Sequence, residues 1–563
     1  MEFIQKKTAD NAVESFLAKA AEKGISLPWD RYEGQLPLCG FCETGLNCRD
    51  CLQGPCISHP FRDQSKVGIC GKDKDILGMH SFLRLAVHGT MAYLDQLTDF
   101  AKGIELEEVS PGDKKRTDEL TQDILRLFKN GKGRVIEEFP KALVDGWKAT
   151  GVYPEGIGRD LFKVSQKLDG GTGSVQDVLA WAFKGALAGC AAQMIQGRLK
   201  SSVFGDTSPT DLEVNLGVLR KETSNIVLHG HFSPILKQKI AKVAVKNKIG
   251  VMGVCTDPLI PPYCFAPVTN YGSQDIPMMT GAVDLVVAGD QCVNPSLVEM
   301  AKEWDVTTFQ TEVLKRGQDP DGFAKQIVDQ AEEAFDRRRK ISREIPEIKE
   351  SALMGFSTKN LDARRIVEAI GEEKIKGVAI LAGCNNVKYT QDGEILSVTR
   401  ELLKKDVFCV SEGCASVSLG KYGLLNPRNR EGVCGKGLSK VFSSLGEDLP
   451  PVIDLGSCEN PGMTDFLLAM AKAGEKLPKE FPIIACFPEA NRSRAVARAV
   501  WTVALGVSTY FWPSLPVTGS MRTMDLLRTF CREAFGAEFH VMTEKMTPTE
   551  KVEGVIDDLK RQS

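Results

Sequence analysis

The stretch Val378-Ala379-Ile380-Leu381-Ala382-Gly383-Cys384-Asn385-Asn386 decides how this chain is read. A short, unbroken apolar run followed at once by glycine and cysteine reads as a strand buried on both faces that delivers a thiol at its carboxyl end. In open α/β sheets that end is where ligands bind. The pattern recurs: Val407 to Gly413 leads to Cys414, Val452 to Gly456 leads to Cys458, and Val283 to Gly289 leads to Cys292. The run 225–228 leads through His229-Gly230 to His231, which reaches the same edge. Further short runs at 249–254 and 483–485 alternate with helical segments from about residue 220 onward, as buried parallel strands with crossover helices do. Thiols and an imidazole brought repeatedly to strand ends point to metal ligation.

Working outward, the N-terminal third reads as helical. Apolar spacing predicts helices over 7–23, with Gly24 as the stop, and over 76–101, 118–129, 136–149 and 175–198. Gly170-Gly171-Thr172-Gly173 lies between two helical patterns with no strand before it, so an interhelical turn is expected there rather than a phosphate loop. The charged run 336–349, with Arg337-Arg338-Arg339-Lys340 and then Pro346, is expected to mark a junction between two sheet-bearing halves and to form a solvated helix face rather than a basic binding patch.

The 563 residues allow about two to four domains. Lys plus Arg number 71 against 74 Asp plus Glu, which argues against a broadly basic nucleic-acid-binding surface. The polar start, Met1 to Lys7, has no apolar signal core, and no unbroken apolar run of about 18 residues is present, so a cytoplasmic protein without a membrane span is expected. Seventeen cysteines, an odd number and very unevenly spaced, do not make a disulfide framework. Six fall between Cys39 and Cys70 on a Gly/Pro-containing loop. Cys48-x-x-Cys51-x4-Cys56 with Cys70 can converge on one [4Fe–4S] cubane, with a tetrahedral zinc site as the competing reading. Cys39-x-x-Cys42 supplies only two more thiolates, and a twofold axis would make them four, so a homodimer with a cluster at its interface is expected.

At these residues the sequence resembles the anaerobic nickel–iron carbon monoxide dehydrogenases, whose scaffold is shared with the hybrid-cluster proteins. The matching segments are Cys39-Gly-Phe through Cys70, His229-Gly-His231, Thr280-Gly-Ala-Val-Asp284 with Gln291-Cys292, Gly383-Cys384-Asn-Asn, Gly413-Cys414-Ala, Gly456-Ser457-Cys458, and Pro513 through Ser520. The resemblance implies an α/β protein with a helical N-terminal domain at 1–219 and two Rossmann-like, doubly wound parallel-sheet domains at 220–345 and 346–563. It also implies an interface cluster, a [4Fe–4S] relay cluster, and a buried active-site cluster held by His231, Cys292, Cys384, Cys414 and Cys458. A ferredoxin-like electron partner is implied on the same ground. Cys190, Cys264, Cys409, Cys434, Cys486 and Cys531 are left as core or unassigned thiols.

The sequence departs from that family in four places. The family's tandem cysteine pair is here Gly253-Val254-Cys255-Thr256-Asp257, so that Cys255, Thr256 or Asp257 takes the altered ligand position. Arg494 replaces a lysine expected to hold the bound carboxylate, and a planar guanidinium is not a conservative replacement for an ammonium. Tyr93, Gln96 and Asp99 stand in the register of a histidine proton path, and Gln96 cannot titrate. Asn47 stands where a cysteine usually precedes Cys48, while Cys42 makes a closer interface pair, so the interface cluster is [2Fe–2S] or [4Fe–4S]. Three changes around one reaction favour, from the sequence, an iron–sulfur–oxo cluster of doubtful nickel content that reduces a small nitrogen–oxygen substrate such as hydroxylamine. Arg494, with Arg492 beside it, would then bind or polarise that substrate, and Tyr93 would lie on the altered proton path. Genuine carbon monoxide dehydrogenase activity is the alternative, and an electron-transfer or redox-sensing protein a further one.

Overall fold

The run around Ile380 forms the strand Gly377–Leu381 near the middle of a six-stranded sheet, every one of its residues buried. It pairs in parallel with Val407–Ser411 on one side and Ile483–Phe487 on the other. Across the sheet the order is Val452–Asp454, Val407–Ser411, Gly377–Leu381, Ile483–Phe487, Ser508–Phe511 and Phe539–Val541. In chain order this is third, second, first, fourth, fifth, sixth, a doubly wound sheet whose direction of winding reverses between Gly377–Leu381 and Ile483–Phe487. The five-stranded sheet, also parallel, runs Thr307–Gln310, Leu285–Ala288, Asn225–His229, Gly250–Val254, Ala266–Thr269. Its reversal lies between Asn225–His229 and Leu285–Ala288. This computed structural model describes residues 6–59, 66–106, 113–130, 133–169, 173–311, 319–446, 448–542 and 546–562.

The helical region is built on two long helices, Lys74–Leu106 and Val175–Phe204, which pack along each other. The second opens with Ser174, whose hydroxyl accepts from Asp177 N, a side-chain cap for an otherwise unpaired backbone donor. It is apolar on every side, the pattern of a helix surrounded by protein. By length and composition it could cross a membrane, yet 89% of its most apolar window is buried inside the fold. Both helices also pack on Ser493–Ala504, which follows a central strand of the six-stranded sheet, so the helical region and that sheet share one core. The segment expected as one helix over 136–149 divides into Arg134–Glu137 and Lys141–Ala149, because Pro140 between them has no N–H to carry the helix through.

The charged junction needs correction. Arg337 and Arg339 are exposed, but Arg338 is fully buried and donates to Asp284 Oδ1 at 2.6 Å and to the Val283 and Gly281 carbonyls. Arg343 reaches the same carboxylate at 2.7 Å. The run is a solvated face only in part; its interior arginines neutralise the acid at the foot of the strand Leu285–Ala288. The Gly170-Gly171-Thr172 turn lies outside the described residues. The cysteine-rich N-terminal segment is mostly loop, with one antiparallel pairing of Asn47–Cys48 and Cys56–Ile57. The segment 513–520 holds it in place: Gly519 N donates to Thr44 O at 3.0 Å.

Candidate metal centre

Each donor expected at a strand end is found just past one. His231 follows Asn225–His229, Cys255 follows Gly250–Val254, and Cys292 follows Leu285–Ala288. Cys384, Cys414 and Cys458 follow Gly377–Leu381, Val407–Ser411 and Val452–Asp454. Three come from each sheet, and all six line a single buried cavity. Approach of the Cys414 and Cys458 loops depends on Gly413. Its φ is +64°, and a Cβ there would lie 2.2 Å from Cys458 Sγ, so only glycine fits.

The two histidines of His229-Gly230-His231 separate by hydrogen bonding. His229 has a protein oxygen at each ring nitrogen, Val254 O 3.1 Å from Nδ1 and Gln274 Oε1 2.9 Å from Nε2, and its single N–H donates to one of them. His231 is 4% exposed, and its Nδ1 has no partner within the protein. Burial, with Arg494 and Lys237 nearby, holds the His231 imidazole well below its usual pKa and therefore neutral, the form that ligates metal. The thiols are in a similar state. Burial pushes Cys292 up to about 12, and Cys384 and Cys458 are raised by the same cause. Cys255 and Cys414 share a hydrogen bond with their sulfurs 3.6 Å apart, which raises the first and lowers the second. Five thiols and an imidazole with a free Nδ1 are gathered out of water, and thiolate sulfur with neutral imidazole nitrogen is the donor chemistry that an iron-containing cluster takes. The donor set therefore fits an iron–sulfur-based cluster. Among the described residues no three His, Cys, Asp or Glu side chains close on one single ion; in a cubane each thiolate sits on a different iron.

The altered loop is now placed. Cys255 faces the cavity, and Thr256 lines it with its hydroxyl donating to Glu459 Oε2 at 3.2 Å. Asp257 is absent from the cavity wall and pairs with Lys200, which also donates to Leu259 O at 2.6 Å. Arg494 is 5% exposed; its Nη2 donates to Ala92 O at 2.7 Å and to Gln96 Oε1 at 2.8 Å, and its guanidinium lies 4.4 Å from the Tyr93 ring centroid. Nη1 approaches Cys458 O at 3.4 Å. Tyr93 is fully buried with Arg494 and Arg498 beside it, and burial raises its pKa.

Four charged residues near the cavity were not anticipated. Glu459, directly after Cys458, takes both carboxylate contacts from Lys237, at 2.5 and 2.7 Å, and also accepts from Asp257 N at 2.7 Å and Gln96 Nε2 at 3.2 Å. Arg498 pairs with buried Glu412 and places Nη1 3.9 Å from Cys458 Sγ. The acid beside a cysteine was visible in the sequence; its partner lies 222 residues away and was not.

The N-terminal thiols occupy a different setting. Cys48 and Cys56 are direct partners in the short antiparallel pair, and Ile69 N donates to Cys56 Sγ at 3.5 Å, which brings the Cys70 turn alongside. Cys51 and Cys70 are exposed. Asp50, inside this segment, is held by Lys72 at 2.8 Å, by His80 Nδ1 at 3.3 Å and by Arg84. Cys39 and Cys42 are both exposed, and Cys42 N donates to Cys39 O at 3.0 Å.

Two doubly wound sheets whose strand ends bring five thiols and an imidazole to one buried cavity, with a second cysteine group at the surface, define a class of metal-cluster oxidoreductase scaffold. Comparison with known proteins makes this specific. Residues 46–119 and 99–545 match the Prismane/CO dehydrogenase family, and the chain belongs to that family. It is 30% identical to carbon monoxide dehydrogenase 2 of Carboxydothermus hydrogenoformans, covering 98% of each chain. It is 29% identical to carbon monoxide dehydrogenase 1 of Methanosarcina mazei, covering 95% of this chain and 94% of the relative. The structure superimposes on carbon monoxide dehydrogenase IV of C. hydrogenoformans with a TM-score of 0.92 at 29% identity, over 99% of both chains.

Proposed function

We propose that this chain interconverts carbon monoxide and carbon dioxide on a buried nickel- and iron-containing cluster, the reading ranked second from sequence. The observation that carries it is the shared cavity of His231, Cys255, Cys292, Cys384, Cys414 and Cys458. The iron–sulfur–oxo reading drew on Asp257 as an oxygen donor, and that carboxylate is engaged by Lys200 away from the cavity wall. Cys255 instead keeps the thiolate-rich set that suits nickel and iron. The relatives of this chain bear the name carbon monoxide dehydrogenase, which favours that reading over hydroxylamine reduction.

When bound, the cluster supplies the electrophile that takes up the carbon oxide and the site that accepts two electrons. The protein's own groups do the rest. His231 and the five thiolates hold the metals, and the surrounding apolar core excludes water. Arg494 orients the Cys458 loop through its carbonyl and sets the positive potential of that wall. Arg498 and its Glu412 partner support the Cys458 thiolate from the other side. Tyr93 positions Arg494 by stacking. In this reading 1–219 carries the surface clusters, while 220–345 and 346–563 each supply three donors. Cys48, Cys51, Cys56 and Cys70 hold a [4Fe–4S] relay, and Cys39 with Cys42 shares an interface cluster with a second copy of the chain. Electrons leave to a ferredoxin-like partner.

Anaerobically purified protein tests this reading. Carbon monoxide-dependent reduction of a low-potential dye, without comparable hydroxylamine consumption, is expected. Hydroxylamine turnover with no response to carbon monoxide would restore the first reading from sequence, and redox changes without either turnover would favour the electron-transfer reading.

A further inference from the structure

A second cavity, of about 430 Å³, opens on the other side of Tyr271 from the donors. Tyr271 lines it together with Gly272, Asn294, Asn385 and Asn491, and the same residue lines the donor cavity. The tyrosine is thus the partition between an outer chamber and the buried thiols, and it is 8% exposed. Its hydroxyl donates to Asn294 Oδ1 at 2.7 Å. Arg492 Nη2 donates to the same oxygen at 3.3 Å, and the Arg492 guanidinium lies 4.7 Å from the ring centroid.

The backbone under the ring has little room to move. Gly272 N donates to Asn385 Oδ1 at 3.2 Å, and a Cβ on Gly272 would lie 2.8 Å from Asn385 Cβ. On the inner side Tyr271 shares the wall of the donor cavity with Cys414. The chain is pinned, while the side chain is held by one hydrogen bond and one cation–π contact, both of a strength that side-chain motion opens. The polar groups of the outer chamber are largely engaged within the protein: Asn294 by Tyr271 and Arg492, Asn385 by Gly272 and Asp392, Asn491 by the Asn385 carbonyl, and Arg31 by Ser296 at 3.1 Å and Asp275 at 3.5 Å. Prolines and Val387 are the rest of the wall. Such a wall suits a neutral molecule with few hydrogen-bonding groups.

We propose that Tyr271 is a side-chain door that admits small neutral molecules from the outer chamber to the donor cavity and sets the largest size admitted, with Asn294 and Arg492 as its clasp. The proposal deepens the reading of that cavity as the cluster site and rests on it.

The test uses the full chain prepared without metal, treated anaerobically with methanethiosulfonates of increasing size, with labelling at each cysteine followed by peptide mass spectrometry. Cys292 and Cys384 report the inner cavity, exposed Cys264 reports reagent reactivity, and buried Cys486 and Cys531 report intact packing. In the native chain, labelling of Cys292 and Cys384 relative to Cys264 should fall steeply as the reagent grows. Tyr271→Ala should remove that size dependence and raise labelling by a benzyl reagent about ten-fold, near the upper end of what opening one ordinary hydrogen bond at the partition is worth. Asn294→Ala, which keeps the ring and removes its acceptor, should give a smaller rise. In the metal-loaded protein, Tyr271→Ala should speed the spectral response to carbon monoxide without changing its equilibrium amplitude. Unchanged rates at Cys292 and Cys384 in both variants, with Cys264 also unchanged and Cys486 and Cys531 protected, would overturn the proposal. Nickel and iron content decides the cluster reading separately, so the two can fail independently.

Discussion

Cys39, Cys42, Cys51 and Cys70 stand exposed on one loop, whereas Cys255, Cys292, Cys384, Cys414 and Cys458 line a closed cavity and are drawn from strands of two sheets. Neighbours in sequence, the first group needs little from the fold beyond the anchor at Thr44. The second group is assembled by the fold; Cys292, Cys384 and Cys458 are raised by burial and by one another, while the hydrogen bond between Cys255 and Cys414 raises the first and lowers the second. Surface thiolates suit electron exchange with a partner; buried ones suit chemistry kept from water. The charges around them differ in the same way. Asp50 among the outer thiols is met by Lys72, His80 and Arg84, while the inner cavity is flanked by closed ion pairs, Lys237 with Glu459 and Arg498 with Glu412.

The comparison breaks most visibly at an inner ligand. Cys414→Ser should lower carbon monoxide turnover by more than about 100-fold, beyond what loss of an outer-sphere partner costs, with the electron paramagnetic resonance signal of the outer cluster retained. Loss of both signals together would show that the two groups are not independent. Next in size is Lys237→Met, which leaves the Glu459 carboxylate buried without its cation. A stability loss of about 3–5 kcal/mol is expected in denaturant titration, largely recovered in Lys237→Met with Glu459→Gln. No recovery in the double variant would show that the lysine acts through packing rather than charge.

A smaller effect is expected in the outer group. Asp50→Asn removes a negative charge beside Cys48 and Cys51, so a redox titration should show the outer cluster's midpoint rising while carbon monoxide binding at the inner site is unchanged. A downward shift would contradict this assignment. The smallest effect belongs to Cys264→Ser, an exposed thiol outside both groups, for which metal content and Tm should equal those of the parent chain.

The strands that carry donors were legible because each is a short apolar run ending in glycine and a ligand. The edge strand Thr307–Gln310 was not, since it is only half buried and its Thr-Thr-Phe-Gln composition leaves no apolar run. The antiparallel pair Thr210–Val214 and Glu350–Met354 was hidden by separation, its partners lying on opposite sides of the five-stranded sheet in sequence. At the site, the residue types that reach the strand ends were readable, and which members of the altered loop face the cavity was not. Whether Cys255 or Asp257 faces the cavity depends on Lys200, a residue of the helical region that fixes the carboxylate elsewhere. The burial of Arg338 likewise depended on Asp284, which a run of four basic residues does not reveal.

Anomalous diffraction from anaerobically grown crystals, recorded on both sides of the nickel and iron absorption edges, tests the central claim most directly. The account predicts nickel and iron peaks together within the cavity bounded by His231, Cys255, Cys292, Cys384, Cys414 and Cys458, and iron alone at the N-terminal thiols. Iron confined to the N-terminal thiols, with no anomalous density in the inner cavity, would contradict it.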